Sequence, residues 1–184
     1  MNTHNDQQPA PIADAARLGL AKEQVEAIDF ITGPGYLSIN PWLRHREPTL
    51  HALERVERAI ELLDSVFEAA PRTWGEAEVR RRVHEADKLF GAVGSMVGGV
   101  FRDAAYVSTT LGYALGGMVL LIHPNTAEMT IRIPEGARAF MPGEVGHFGN
   151  REMEVLLPRG SEFRVLRDYE DEHGTRRLEM ELIV

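Results

Sequence analysis

The sequence contains no cysteine, which excludes disulfides, thiolate metal sites and a cysteine nucleophile. It also lacks a long hydrophobic run. The longest, Tyr113 to Ile122, spans ten residues and carries Gly116 and Gly117, about half of what a membrane span needs. Basic residues are the minority, 20 Lys and Arg against 28 Asp and Glu, for a formal net charge of -8. That balance disfavours a nonspecific grip on phosphate backbones, which clustered cations provide, while leaving a local basic groove open. The seven histidines show no ligand spacing such as HExxH, so no metal site is expected. GAVGSMVGG at 91–99 has the glycines of a dinucleotide-binding loop but no helical pattern after it, and is rejected as one. The opening residues MNTHNDQQPAP lack the charged-then-apolar order of a signal peptide. The expectation is a cytoplasmic protein, or an effector exported by machinery that needs no such signal, with no membrane contact.

With 184 residues, 43% hydrophobic and 26% charged, the chain is long enough for one domain with a real core. Residues 1–12, polar and carrying Pro9 and Pro11, read as a disordered leader, and 13–184 as a single domain. A helical stretch runs to about Phe30, and TGPGYLSINPWLR follows as a loop-and-turn segment. Thr49 is the expected N-cap of a long helix to about Ala70, with Leu50, Leu53, Val56, Ile60, Leu63 and Phe67 on one apolar face. Pro71 ends it. From Glu76 the pattern changes to short alternating segments, giving strands near 77–83, 100–110, 118–123, 127–133, 137–141, 153–157, 161–167 and 176–183. Helices first and strands afterwards make the fold class α+β, with antiparallel sheets as the default.

Three islands carry unusual chemistry. In VRRRV (79–83), strand alternation puts Val79, Arg81 and Val83 on one side and Arg80 and Arg82 on the other. With the valines inward, Arg81 is a cation on an apolar face. It is then either tied into an internal ion pair or part of a solvated basic run. In AYVSTTLG (105–112), Ser108 and Thr110 share a face opposite Thr109; such hydroxyls orient a carboxylate or ligand, or are ordinary strand residues. In GNREMEVLLPRGSEFRV (149–165), Glu152 and Glu154 would point to one side of a strand, roughly 7 Å apart. Mutual repulsion would raise the pKa of at least one. Carboxylates so placed suit stabilising a developing cation or activating a nucleophile, or are charges guarding a strand edge.

An arginine on an early strand, then Ser-Thr-Thr, then Glu-x-Glu feeding VLLPRGSEFRV resembles the mono-ADP-ribosyltransferases of the Arg–Ser–Glu class. These are the actin- and Rho-modifying bacterial exoenzymes, with related phage and effector enzymes. TGPGYLSINPWLR is similar to the family's N-terminal segment in its Tyr–Ile-Asn–Leu-Arg pattern. IRIPEGARA is similar to the strand and Pro-Gly turn before the substrate loop, and EVLLPRGSEFRV to the closing hairpin. The resemblance covers about 155 residues. It implies N-terminal helices packed on two antiparallel β-sheets that flank an NAD cleft. It implies transfer of ADP-ribose from NAD to a protein side chain, with NAD as co-substrate and no metal.

The roles that the resemblance implies are specific. Arg81 would contact NAD phosphate, and Arg82 would offer its backbone while its side chain points away. Ser108, heading the Ser-Thr-Thr motif with Thr109 beside it, would steady the catalytic carboxylate at the NAD site. Glu154 would bind the ribose and stabilise the transition state. Glu152 would engage a target arginine; asparagine-modifying relatives usually carry glutamine there. Asn40 and Arg44 would line the adenosine and phosphate side of NAD. One departure stands out: the family's strand commonly reads Tyr-Arg-Gly, whereas this chain has Arg80, Arg81 and Arg82, so the choice of Arg81 depends on register. In the loop MPGEVGHFGNR, Gly143, Gly146 and Gly149 suggest mobility, and Phe148 is either a docking tip for a protein acceptor or a packed loop aromatic. The same cleft would serve NAD cleavage to water or transfer to nucleic acid, and a noncatalytic binding module is the reading of another class. A host or target-cell protein as acceptor, and an immunity or antitoxin partner, complete the expectations.

Overall fold

The computed structural model describes residues 10–111 and 125–184; the expected strand near 118–123 lies outside them. Strand β1 (Ala13–Asp14) opens the fold, followed by a 3-10 turn and helices α1 (Lys22–Thr32), α2 (Tyr36–His45) and α3 (Leu53–Ala69). Ile12, assigned to the leader by composition, is buried in the core. In α3 the buried residues Val56, Ala59, Ile60, Leu63, Val66 and Phe67 recur at helical spacing, and this stripe docks the helix.

Two expectations about the helices are corrected. Thr49 is not the cap of α3; Ala52 is, without a side-chain hydrogen bond. The Thr49 hydroxyl turns to the carbonyl of His51 instead, and Leu50 is 76% exposed. The segment 36–45, expected as loop, is helix α2 despite Pro41 inside it. Ile39 is fully buried and Trp42 and Leu43 pack against the same core, so tertiary burial outweighs the cost of the proline. The glycine before α2 has a steric reason: a Cβ on Gly35 would fall 2.4 Å from the carbonyl oxygen of Phe30.

The remaining elements are β2 (Ala77–His84), α4 (Ala86–Phe90), β3 (Val100–Arg102), β4 (Val107–Thr110), β5 (Thr126–Ile133), β6 (Phe140–Met141), β7 (Glu154–Leu157), β8 (Glu162–Glu170) and β9 (Arg176–Leu182). The class is α+β, but the expected pair of antiparallel sheets is one hydrogen-bonded network of mixed direction. Its order is β1-β6-β7-β4-β2-β5-β9-β8-β3, with β1–β6 and β5–β9 parallel. The tight hairpin joining β8 to β9 fixes the direction of β9 and lays it alongside β5. The strand expected over 100–110 breaks into β3 and β4 around Asp103.

Period-two alternation splits the interior in two. Val155 and Leu157 of β7 join Val79, Met129, Phe163, Val165, Leu178 and Met180 in one core. Leu156 faces the other way and joins Tyr106, Phe140 and the helical residues Ile28, Ile39, Leu63 and Phe67. Both halves of the sheet feed the first core, so the sheet folds over itself, while the helices cover the outer face of β4 and β7. Tyr106 fastens that contact, its buried hydroxyl reaching Ile60 O at 3.0 Å and Asp64 Oδ1 at 2.7 Å on α3. Among the described residues β2 and β4 pair at Arg80 and Thr110.

Candidate active site

β4 and β7 run antiparallel with Ser108 opposite Leu156 and Thr110 opposite Glu154. Ser108 and Glu154 are therefore diagonal neighbours on one face. The Ser108 hydroxyl donates to Glu154 Oε1, with the serine exposed and the glutamate half-buried. Alternation turns Thr109 to the reverse face. It is buried, and its hydroxyl donates to Val155 O at 2.8 Å, so the expectation that Thr109 lines the cofactor site is corrected.

Glu152 does not share the strand with Glu154. It ends a 3-10 turn, Gly149–Glu152, and Met153 adopts the left-handed conformation at φ 47° before β7 begins. The picture of two carboxylates on one strand face is thus replaced by a turn carboxylate followed by a strand carboxylate. The loop ahead of it is tightly packed. A Cβ on Gly143 would meet Asp14 Oδ1 at 2.6 Å, and one on Gly146 would meet Pro142 Cβ at 2.8 Å; these glycines answer to close approach and not to mobility. His147 ties the loop to α1 through its backbone N–H to Thr32 Oγ1 (2.8 Å) and its ring to Asp29 (3.2 Å). Phe148, 51% exposed, stands edge-on to the His147 ring at 4.9 Å.

The three arginines of β2 part company as alternation predicts. Val79 and Val83 are buried and Arg81 lies with them, its side chain 20% exposed. Arg80 pairs with Glu78 on its own strand (3.5 Å), and Arg82 with Glu128, its cross-strand partner on β5 (2.6 Å). Arg81 Nη1 lies 3.7 Å from Asp103 Oδ2. Burial pushes the Arg81 guanidinium below its ordinary pKa; Asp103 works against that shift and the nearby Arg44 cation adds to it.

Asn40 and Arg44 are four residues apart on α2, hence on one helical face. Arg44 grips Asp103 with two hydrogen bonds, Nε to Oδ1 at 2.9 Å and Nη2 to Oδ2 at 2.8 Å. Asn40 Oδ1 is buried and has no hydrogen-bond partner among the described residues. A buried amide oxygen in that state is costly, and a polar ligand group alongside α2 would satisfy it. The structure thus joins Arg44 with Arg81 and Ser108 with Glu154. Asp103 is the residue that motif reasoning overlooked, although an acidic residue inside an apolar run expected as one strand was its signal. Among the described residues no three His, Asp or Glu side chains gather as metal ligands would.

The sequence matches the family model described as ADP-ribosyltransferase exoenzyme over residues 10–184, nearly the whole chain. The chain belongs to the ADP-ribosyltransferase exoenzyme family. It is an NAD-dependent mono-ADP-ribosyltransferase, and NAD is its co-substrate. No curated sequence is similar enough to count as a match. Several solved ADP-ribosyltransferases share the fold at low identity. Plx2a, an ADP-ribosyltransferase toxin from Paenibacillus larvae, is 19% identical with a TM-score of 0.70 over 90% of this chain and 88% of its own. The C3 exoenzyme of Clostridium limosum is 17% identical with a TM-score of 0.72 over 92% and 89%. C3stau2 from S. aureus, solved with NAD, is 18% identical with a TM-score of 0.70 over 91% and 90%.

Proposed function

We propose that this ADP-ribosyltransferase modifies arginine side chains of a protein acceptor, a protein of a host or target cell reached as a delivered effector. The observation that carries the reading is the Ser108–Glu154 hydrogen bond with a second carboxylate at Glu152, on the turn leading into the same strand. Glu154, oriented by Ser108, opposes the positive charge that develops on the ribose as the bond to nicotinamide breaks. Arg81 and Arg44 hold the pyrophosphate of NAD, with Asn40 toward the adenosine side. Glu152 receives the guanidinium of the acceptor and assists its deprotonation. Phe148, half exposed at the tip of the loop, supplies apolar docking area for the acceptor.

The two glutamates separate in one experiment. Glu154→Gln keeps shape and removes the anion, so nicotinamide release and label transfer both fall, by about 10²–10³ for a lost electrostatic stabiliser. Glu152→Gln abolishes transfer to arginine while most nicotinamide release continues, because water needs no guanidinium partner. Both are assayed with labelled NAD after circular dichroism confirms folding. Undiminished arginine labelling by Glu152→Gln overturns the arginine assignment. Equal loss of both activities in that variant moves Glu152 into the NAD half of the reaction.

A further inference from the structure

Asp103 is nearly buried, with 7% of its side chain exposed, yet it touches two arginines from different elements. Its carboxylate accepts three hydrogen bonds. Oδ1 accepts Arg44 Nε and the backbone N–H of Ala105 at 3.0 Å, and Oδ2 accepts Arg44 Nη2. Its own backbone is clamped on both sides by the turn that follows β7: Asp103 N donates to Ser161 O at 3.0 Å, and Gly160 N donates to Asp103 O at 2.8 Å. That turn is in turn held to α3, where Arg159 makes a bidentate pair with Asp64. So placed, Asp103 has little freedom to follow its partners; they are fixed to it.

We infer that Asp103 is a positioning residue, an internal carboxylate that holds Arg44 and Arg81 side by side as a preformed binding pair for the NAD pyrophosphate. The inference rests on reading those two arginines as the phosphate contacts. Two guanidiniums near one oxygen repel each other, strongly so where water is scarce. One carboxylate offsets one of the two charges and leaves a net positive site for a dianionic group. It does so while consuming only two of the five N–H donors of Arg44, leaving three for the ligand. The turn that carries Pro158, Arg159 and Gly160 thereby acquires a second task. Besides ending the strand of Glu154, it fixes the residue that arranges the arginines, so the anion at the ribose and the cations at the phosphates share one anchor.

The test is Asp103→Asn, which keeps the size and an acceptor for Ala105 N but removes the charge and sets an amide N–H against Arg44. The KM for NAD in the nicotinamide-release assay rises by about tenfold or more, the scale of a lost charge-assisted hydrogen bond, while kcat changes by less than about threefold. In an Arg44→Ala background the same substitution adds clearly less than it does in the wild type, because one of the two arginines through which it acts is already gone. A merely structural role gives additive losses and a fall in kcat, and either result overturns the inference. An unchanged KM in Asp103→Asn with a raised KM in Arg44→Ala overturns it alone. An unchanged KM in Arg44→Ala removes the phosphate reading beneath it, and the inference falls with it. Should Asp103→Asn not fold, ¹⁵N NMR of the wild-type protein decides. A protected Arg44 Nε–H resonance in the absence of NAD is expected, and a solvent-averaged one overturns the inference.

Discussion

Arg80, Arg81 and Arg82 carry the same charge and differ only in what their strand positions give them. Alternation sends the outer two to carboxylates of their own, Glu78 and Glu128, and sends Arg81 inward beside Arg44 and Asp103. Arg81→Ala is therefore expected to weaken NAD affinity about tenfold or more through loss of a charge-assisted contact, whereas Arg80→Ala and Arg82→Ala stay close to wild type. Calorimetric titration with NAD checks this, and equal affinity across the three variants contradicts the register. This choice was legible in the sequence because the valines on either side fix which face is buried. The hydroxyl pairing of Ser108 with Glu154 was legible from motif order. The inward turn of Thr109 followed from the same alternation, but the motif resemblance had drawn it into the site. Asp103 was hidden for another reason: its importance lies in partners 59 and 22 residues away along the chain, which no local pattern displays.

Among the elements, α4 and the glycine-rich segment after it show how a stretch without regular structure is held in place. Arg176 of β9 grips Asp168 of β8 with Nε and Nη2, both at 2.8 Å, and reaches on to Asp87 of α4 and the carbonyls of Gly91 and Ala92. Gly94 N–H closes the ring on Asp168. Burial alone would favour the neutral acid, but the Arg176 hydrogen bonds, the Gly94 N–H and the Arg176 charge outweigh it and hold the Asp168 carboxyl below its usual value. A depressed carboxylate contributes stability that is present above the unfolded pKa and lost as pH falls through the folded one. Arg176→Met leaves Asp168 buried and unpaired, at a cost of about 3–5 kcal/mol near neutral pH. Urea unfolding as a function of pH should show that gap narrowing as pH falls into the acid range, where the unpaired carboxyl of the variant protonates first, and closing only below the lowered pKa of the wild-type Asp168; a constant gap contradicts the account. At this scale α3 and most strands were legible from periodicity. α2 was not, since its Gly and Pro punctuation mimics a loop and only the pocket that receives Ile39 and Trp42 makes it helical.

At the scale of the whole molecule, the order helices-then-strands sufficed for the α+β class, while the strand order was out of reach of pattern reasoning. Direction within a sheet is decided by which edges meet, and the alternation of a strand reads the same whether its neighbour is parallel or antiparallel. β9 is the case in point. Although it comes last among the strands, it lies between β5 and β8 and supplies Leu178, Met180 and Leu182 to the core they share. Removing residues 176–184 should therefore yield no smaller folded enzyme; size-exclusion chromatography is expected to show aggregates, and a monomeric folded product would contradict this. The reason reaches back to the moment the chain is made. Until β9 arrives, β5 and β8 each offer a bare row of backbone donors and acceptors, the kind of edge that recruits other chains. On the ribosome the protein is for most of its synthesis an unfinished ribbon in need of shielding, and it becomes a self-contained object only when residues 176–182 slot into the middle.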